Sequence, residues 1–174
     1  MKIRLRRVRD SDADDLAEAW RDQGEVYNAL DPQTFTVPAA DGLGDWLVEG
    51  LRSQADPDHR LVLVADLDGR AAGFIVAAVV PPHAAAEHQM QRDLAEPRVR
   101  VEALAVRRAH WRSGVGTRLV EAAENWARNR GATTIAVQAS LHDPAAAFLD
   151  ALGYAPRATV RDKRLQARER GARD

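Results

Sequence analysis

Cysteine is absent from all 174 residues, which removes disulfides, thiolate metal sites and a cysteine nucleophile together. Net charge is nearly absent as well. The 25 Lys and Arg against 26 Asp and Glu leave a formal −1, too small a field to capture nucleic acid or an anionic membrane, so neither is an expected partner. No apolar run approaches the length of a membrane span. The basic start Met1-Lys-Ile-Arg-Leu-Arg-Arg7 has no apolar stretch of signal-peptide length behind it, and the expectation is a cytoplasmic protein. Internal repeats and low-complexity segments are missing. The five histidines, with His83 and His88 close together, have no carboxylate spacing that completes a metal site, so no metal is expected. A serine-hydrolase elbow is missing too.

What remains is ordinary globular material, with 45% apolar and 29% charged residues, enough for a single domain with its own core. That domain is expected over residues 1–165, followed by a charged, frayed tail over 166–174. Ile3 and Leu5 alternate with arginines as in a strand, and Asp10-Ser11-Asp12 offers an N-cap to a helix through Leu16, Ala19 and Trp20. A loop over about residues 22 to 42 leads to a second helix carrying Leu43, Trp46, Leu47 and Leu51. Arg60–Asp66 and Ala72–Val80 are β-rich runs joined by Asp68-Gly69, a hairpin signal. Residues 81 to 97 read as a polar loop with at most a turn or two of helix.

The most informative stretch follows. Val101-Glu-Ala-Leu-Ala-Val106 reads as the end of a strand, Arg107 to Thr117 as a glycine loop, and Leu119, Val120, Ala123 and Trp126 fall at helical spacing up to Arg130-Gly131. Strand, glycine loop and helix in that order aim unpaired backbone N–H groups and the positive end of a helix dipole at one point. The natural ligand there is a phosphate. Thr133–Gln138 is a further strand, and His142 to Tyr154 a short helix with Asp143 as N-cap, Pro144 at its first position and Gly153 as C-cap. A last strand is expected around Ala158 to Leu165. The order β-α-α-β-β-β-α-β-α-β makes the class mixed α/β (α+β): a central twisted mixed sheet of about six to seven strands flanked by about four helices.

These residues resemble the GNAT superfamily of acetyl-CoA-dependent N-acyltransferases. The family's Q/R-x-x-G-x-G/A loop maps onto Trp111-Arg-Ser-Gly114-Val-Gly116, and its later N-x-x-A-x-x-x-Y-x-x-x-G-F segment onto His142-Asp-Pro-Ala145 through Leu149 to Gly153-Tyr154. The resemblance implies a GNAT-like fold and transfer of an acetyl group from acetyl-CoA to the primary amine of a small molecule or peptide, by direct attack in a ternary complex. A non-catalytic acyl-CoA-binding or regulatory module is the alternative. It also implies that the pyrophosphate of coenzyme A rests on the amides of Arg112, Ser113, Gly114, Val115, Gly116 and Thr117. The pantetheine arm would pair with the main chain of Leu104, Ala105 and Val106 as an added strand. Dimerisation is common in the family.

Alternation along the strand places Glu102, Leu104 and Val106 on one face and Val101, Ala103 and Ala105 on the other. A glutamate among apolar neighbours is either a general base, as a strand-four glutamate is in many family members, or a partner of Arg100 or another cation. His142 stands where the family has asparagine, in a catalytic polar role or as a helix cap. Two positions depart from the family's pattern. Trp111 replaces the loop's first polar residue, and Leu149 falls at the tyrosine held to protonate the leaving thiolate. Tyr154 reads as core packing.

Overall fold

The computed structural model describes residues 2–139, 145–158 and 163. In chain order the elements are β1 (Ile3–Arg6), α1 (Ala13–Leu30), α2 (Leu43–Ser53), β2 (Arg60–Leu67), β3 (Arg70–Val80), β4 (Arg98–Val106), α3 (Val115–Asn129), β5 (Thr134–Val137) and α4 (Ala145–Ala151), with short 3₁₀ turns between some of them. The strands lie side by side in the order β1-β2-β3-β4-β5. All neighbours are antiparallel except β4 and β5, which are parallel and joined through α3. This is the expected mixed α/β sheet, with five strands among the described residues. The strand expected around Ala158 to Leu165 falls almost entirely outside them, as do Asp143 and Pro144.

Burial follows from period-two alternation in the long central strand. Phe74 and Val76 of β3 face one way, into a core with Leu16 and Ala19 of α1 and Leu47, Val48 and Leu51 of α2. Ile75 and Ala77 face the other way, against Leu119, Val120, Ala123 and Ala127 of α3. Those α3 residues recur at helical spacing, so one stripe is buried and the opposite face stays polar. The β2–β3 hairpin closes on Asp68 (φ 53°) and Gly69 (φ 90°) with Leu67 opposite Arg70, the two-residue turn that Asp-Gly favours.

Three local expectations are corrected. Helix α1 continues to Leu30, so residues 22 to 30 are helical and the connecting loop is residues 31 to 42. Gly24 lies within the helix, and its missing Cβ lets Pro38 lie over it: a Cβ there would sit 2.5 Å from the proline Cδ. Asp12 stands at the N-cap position of α1, but its side chain bonds to no amide of that helix. Its carboxylate accepts the Arg9 amide at 2.8 Å and both Nη atoms of Arg6, which also donates from Nε to Asp66 at 2.6 Å. Burial pushes the Asp12 carboxyl up, but these bonds outweigh it and hold the group below the usual carboxylate value.

The third correction moves a functional candidate. Val76 pairs with Ala103 and Ala77 with Val101, leaving Glu102 as the extra residue of a β-bulge. A bulge places two successive side chains on one side of a sheet. Val99, Val101, Leu104 and Val106 therefore face α3, while Ala103 and Ala105 face α1 and α2. Glu102 lines a cleft beside Ala103 on the α1/α2 side, instead of sharing a face with Leu104 and Val106.

Candidate functional site

Strand β5 pairs with β4 only from Arg98 to Val101, opposite Thr134 to Val137. From the bulge at Glu102 to Val106, β4 has β3 on one side and no described strand on the other. The direction of its main-chain groups follows from one bond. The Arg107 N–H donates to the Ala72 carbonyl at 2.9 Å, toward β3, so alternation turns the groups of Ala105 toward β3 and those of Leu104 and Val106 toward the open edge. Of the three positions named from the sequence, Leu104 and Val106 thus present main-chain groups to that edge and Ala105 does not. The Val106 carbonyl accepts the indole N–H of Trp111 at 2.7 Å, which gives the tryptophan at the loop's first position a definite partner.

Beyond β4 the chain makes a 3₁₀ turn, Arg108–His110, then passes through Arg112 at φ 59° and Gly114 at φ 84° into α3. The Ser113 hydroxyl turns back to the His110 carbonyl at 2.6 Å and caps nothing. The Ser113 amide reaches the same carbonyl at 3.4 Å. The first helical bond runs from the Arg118 amide to Gly114. Among the described residues no acceptor meets the amides of Arg112, Gly114, Val115, Gly116 or Thr117. Five N–H groups and a helix N-terminus therefore converge where an anion fits. The two glycines serve different ends. Gly114 takes a left-handed conformation with open space where a Cβ would stand, whereas a Cβ on Gly116 would come 3.3 Å from Phe148 of α4. Gly116 is a packing glycine.

An acidic stripe on α1 fixes the turn in place. Arg107, buried, pairs with Asp15 at 3.1 Å and Glu18 at 2.7 Å. The Arg108 amide donates to Asp22 at 2.6 Å and its guanidinium to Glu25 at 2.7 Å, while lying over the Trp111 ring at 5.3 Å. Sequence reading missed this clamp, although carboxylates at 15, 18, 22 and 25 recur at helical spacing and two arginines follow β4. Elsewhere, Asp93 pairs with Arg157 at 2.8 Å and Glu87 lies 3.6 Å from His88.

Glu102 accepts from Arg100 at 3.0 Å and from Arg60. Partial burial raises its carboxyl, but the two guanidiniums outweigh burial and hold it below its ordinary value. The cleft it borders, about 190 Å³, runs between α1, α2 and the β3–β4 face. Tyr154 packs in the α3-side core and donates to Glu124 at 3.2 Å; burial, then the charge of Glu124, push its hydroxyl well above the usual tyrosine value. Leu149 is buried on α4. His142 lies outside the described residues. Among the described residues no group of three or more metal-ligating side chains occurs, and no helix is long and apolar enough to cross a membrane.

A split sheet edge followed by a loop of unpartnered amides defines a class, and the family comparison agrees with it. The chain belongs to the acetyltransferase (GNAT) family, whose model matches residues 15–154. No curated protein matches the chain. Among solved structures, the BH1408 protein of Bacillus halodurans superposes with a TM-score of 0.75 at 18% identity, covering 95% of this chain and 100% of that one. AAC(6')-Iy, in complex with a coenzyme A bisubstrate analogue, gives 0.60 at 23% identity over 96% and 100%. Glucosamine-6-phosphate N-acetyltransferase of Arabidopsis thaliana gives 0.59 at 15% over 95% and 100%. These likenesses establish the fold.

Proposed function

We propose that the protein transfers an acetyl group from acetyl-CoA to a primary amine by direct attack. The observation that carries this reading is one continuous run of chain: the open edge of β4 leads directly into the loop whose amides lack partners. The residues present fit such a donor. The amides of Arg112, Gly114, Val115, Gly116 and Thr117 match a pyrophosphate, and the main chain of Leu104 and Val106 matches an amide-containing arm added as a strand. Bound acetyl-CoA supplies a thioester, and attack by the amine nitrogen on its carbonyl carbon breaks the C–S bond and leaves an N-acetyl amide. A main-chain N–H of the open edge stabilises the charge that develops on the carbonyl oxygen.

Glu102 receives the amine's proton, directly or through a water. Held ionised by Arg60 and Arg100, it is always ready to accept but is a weak base. That weakness is tolerable because the nitrogen's proton becomes acidic as the C–N bond forms. Leu149 has no proton to give, so the departing thiolate takes one from solvent. The test is thiol release from acetyl-CoA against a panel of amines, with coenzyme A binding followed in parallel. Amine-dependent release supports transfer; tight binding with no turnover on any amine would make the chain a non-catalytic acyl-CoA-binding module.

A further inference from the structure

The cleft on the α1/α2 side of the sheet is walled by Trp20, Trp46, Phe74, Val76 and Ala103, with Glu102 at its β4 end. We infer that it holds the acyl acceptor, and that the acceptor is a monoamine carried on a short apolar body such as a single aromatic ring, not a polyamine or an aminosugar. The inference rests on the transferase reading above and adds the substrate class to it.

Position comes first. Glu102 and Ala103 form the bulge at which the open edge of β4 begins, so an amine seated in the cleft faces the place where a donor strand would lie. Wall chemistry comes second. Trp20 and Phe74 meet at 5.9 Å, tilted by 38°, and give the cleft an aromatic floor. Trp46 is 63% exposed on a helix whose neighbouring Leu47, Val48 and Leu51 are buried, so core formation does not account for a tryptophan there. A ring in the cleft would cover it.

Charge and size narrow the acceptor further. The cleft's carboxylate already accepts from Arg60 and Arg100, leaving a surplus of positive charge that disfavours a second ammonium group. Its 190 Å³ is below the roughly 300–1,000 Å³ of drug-sized ligand sites and suits a single ring, and among single rings the apolar wall favours an aromatic one over a hydroxylated sugar.

The experiment is calorimetric titration of the full chain, with and without coenzyme A, using 2-phenylethylamine, spermidine and glucosamine, alongside tryptophan fluorescence. We expect 2-phenylethylamine to bind about ten-fold or more tightly than the other two and to change the fluorescence. Trp46→Ala should weaken it about ten-fold while melting temperature and coenzyme A affinity hold, since that side chain is mostly outside the core. Equal or tighter binding of spermidine or glucosamine would overturn the inference, as would an unaffected Trp46→Ala. Coenzyme A binding with no amine bound would overturn the cleft assignment alone. Amine binding as expected with no acetyl transfer would support the cleft and overturn the transferase reading.

Discussion

Asp15→Asn tests the clamp that ties α1 to the end of β4. The Asp15 carboxylate accepts from Arg107 at 3.1 Å, from the Ala71 amide at 3.1 Å and from Arg70. Both the Asp15 and Arg107 side chains are about nine-tenths buried, at 8% and 9% exposure. Breaking a buried pair by neutralising one member costs about 3–5 kcal/mol, because the remaining charge is left in a poor solvent. Glu18 still reaches Arg107 at 2.7 Å, but it is half exposed, which places the expected loss near the lower end, about 3 kcal/mol. That is a large part of the roughly 5–15 kcal/mol that stabilises a typical domain. Urea unfolding at neutral pH, followed by circular dichroism, reads it directly. Arg70→Met is the control: its guanidinium is mostly in solvent, so it should cost far less. A loss under about 1 kcal/mol for Asp15→Asn, or equal losses for the two variants, would mean that no buried charge is left unpaired when Asp15 is neutralised.

Gly114→Val should weaken coenzyme A binding about ten-fold, because φ 84° is costly for a β-branched residue and relaxing it turns the loop amides away; unchanged affinity would contradict the cradle. Glu102→Gln should lower turnover at every pH without moving the acidic limb of the rate profile. The carboxyl is held below its ordinary value and stays ionised through the neutral range, so that limb belongs to the amine, and a limb that shifts in the variant would contradict this. Acid should unfold the protein through the Arg6 network. Asp12 and Asp66 are both depressed in the folded state, so their stabilisation is complete above their unfolded values of about 4 and is lost as pH falls through the lower folded values. Urea midpoints at pH 7 and pH 3 should differ less in Arg6→Met than in the wild type, and an equal difference would remove the network from the account.

Local signals carried much of the fold. The alternating runs of β2 and β3, the Asp68-Gly69 turn and the apolar stripe of α3 each stand where their own periodicity and turn chemistry put them. The glycine loop was legible for the same reason, since Gly114 announces a left-handed residue ahead of a helical stripe. What depends on register was not legible. The bulge at Glu102 arises from how β4 pairs with β3, and a single extra residue reversed the face assigned to Glu102 relative to Leu104 and Val106. The loss of Ala105 from the open edge is a consequence of the same pairing. Long-range ion pairs were hidden too: Arg107 and Asp15 are distant in sequence, and no pattern in one segment states that the other will be its partner. Helix α1 runs past its expected end to Leu30, and the packing of Pro38 on Gly24 is a long-range contact that no local pattern states. His142 lies outside the described residues, so its role stays an expectation.

The proposed acetyl-CoA site is the open edge of β4 together with the loop before α3. Titrating ¹⁵N-labelled protein with coenzyme A and following assigned backbone amides tests it most directly. Large shifts are expected at Arg112, Gly114, Val115, Gly116 and Thr117, further shifts at Leu104 and Val106, and little change at Ala105 or in the β1–β2 half of the sheet. Saturable binding whose shifts fall elsewhere, or no binding at millimolar coenzyme A, would contradict it.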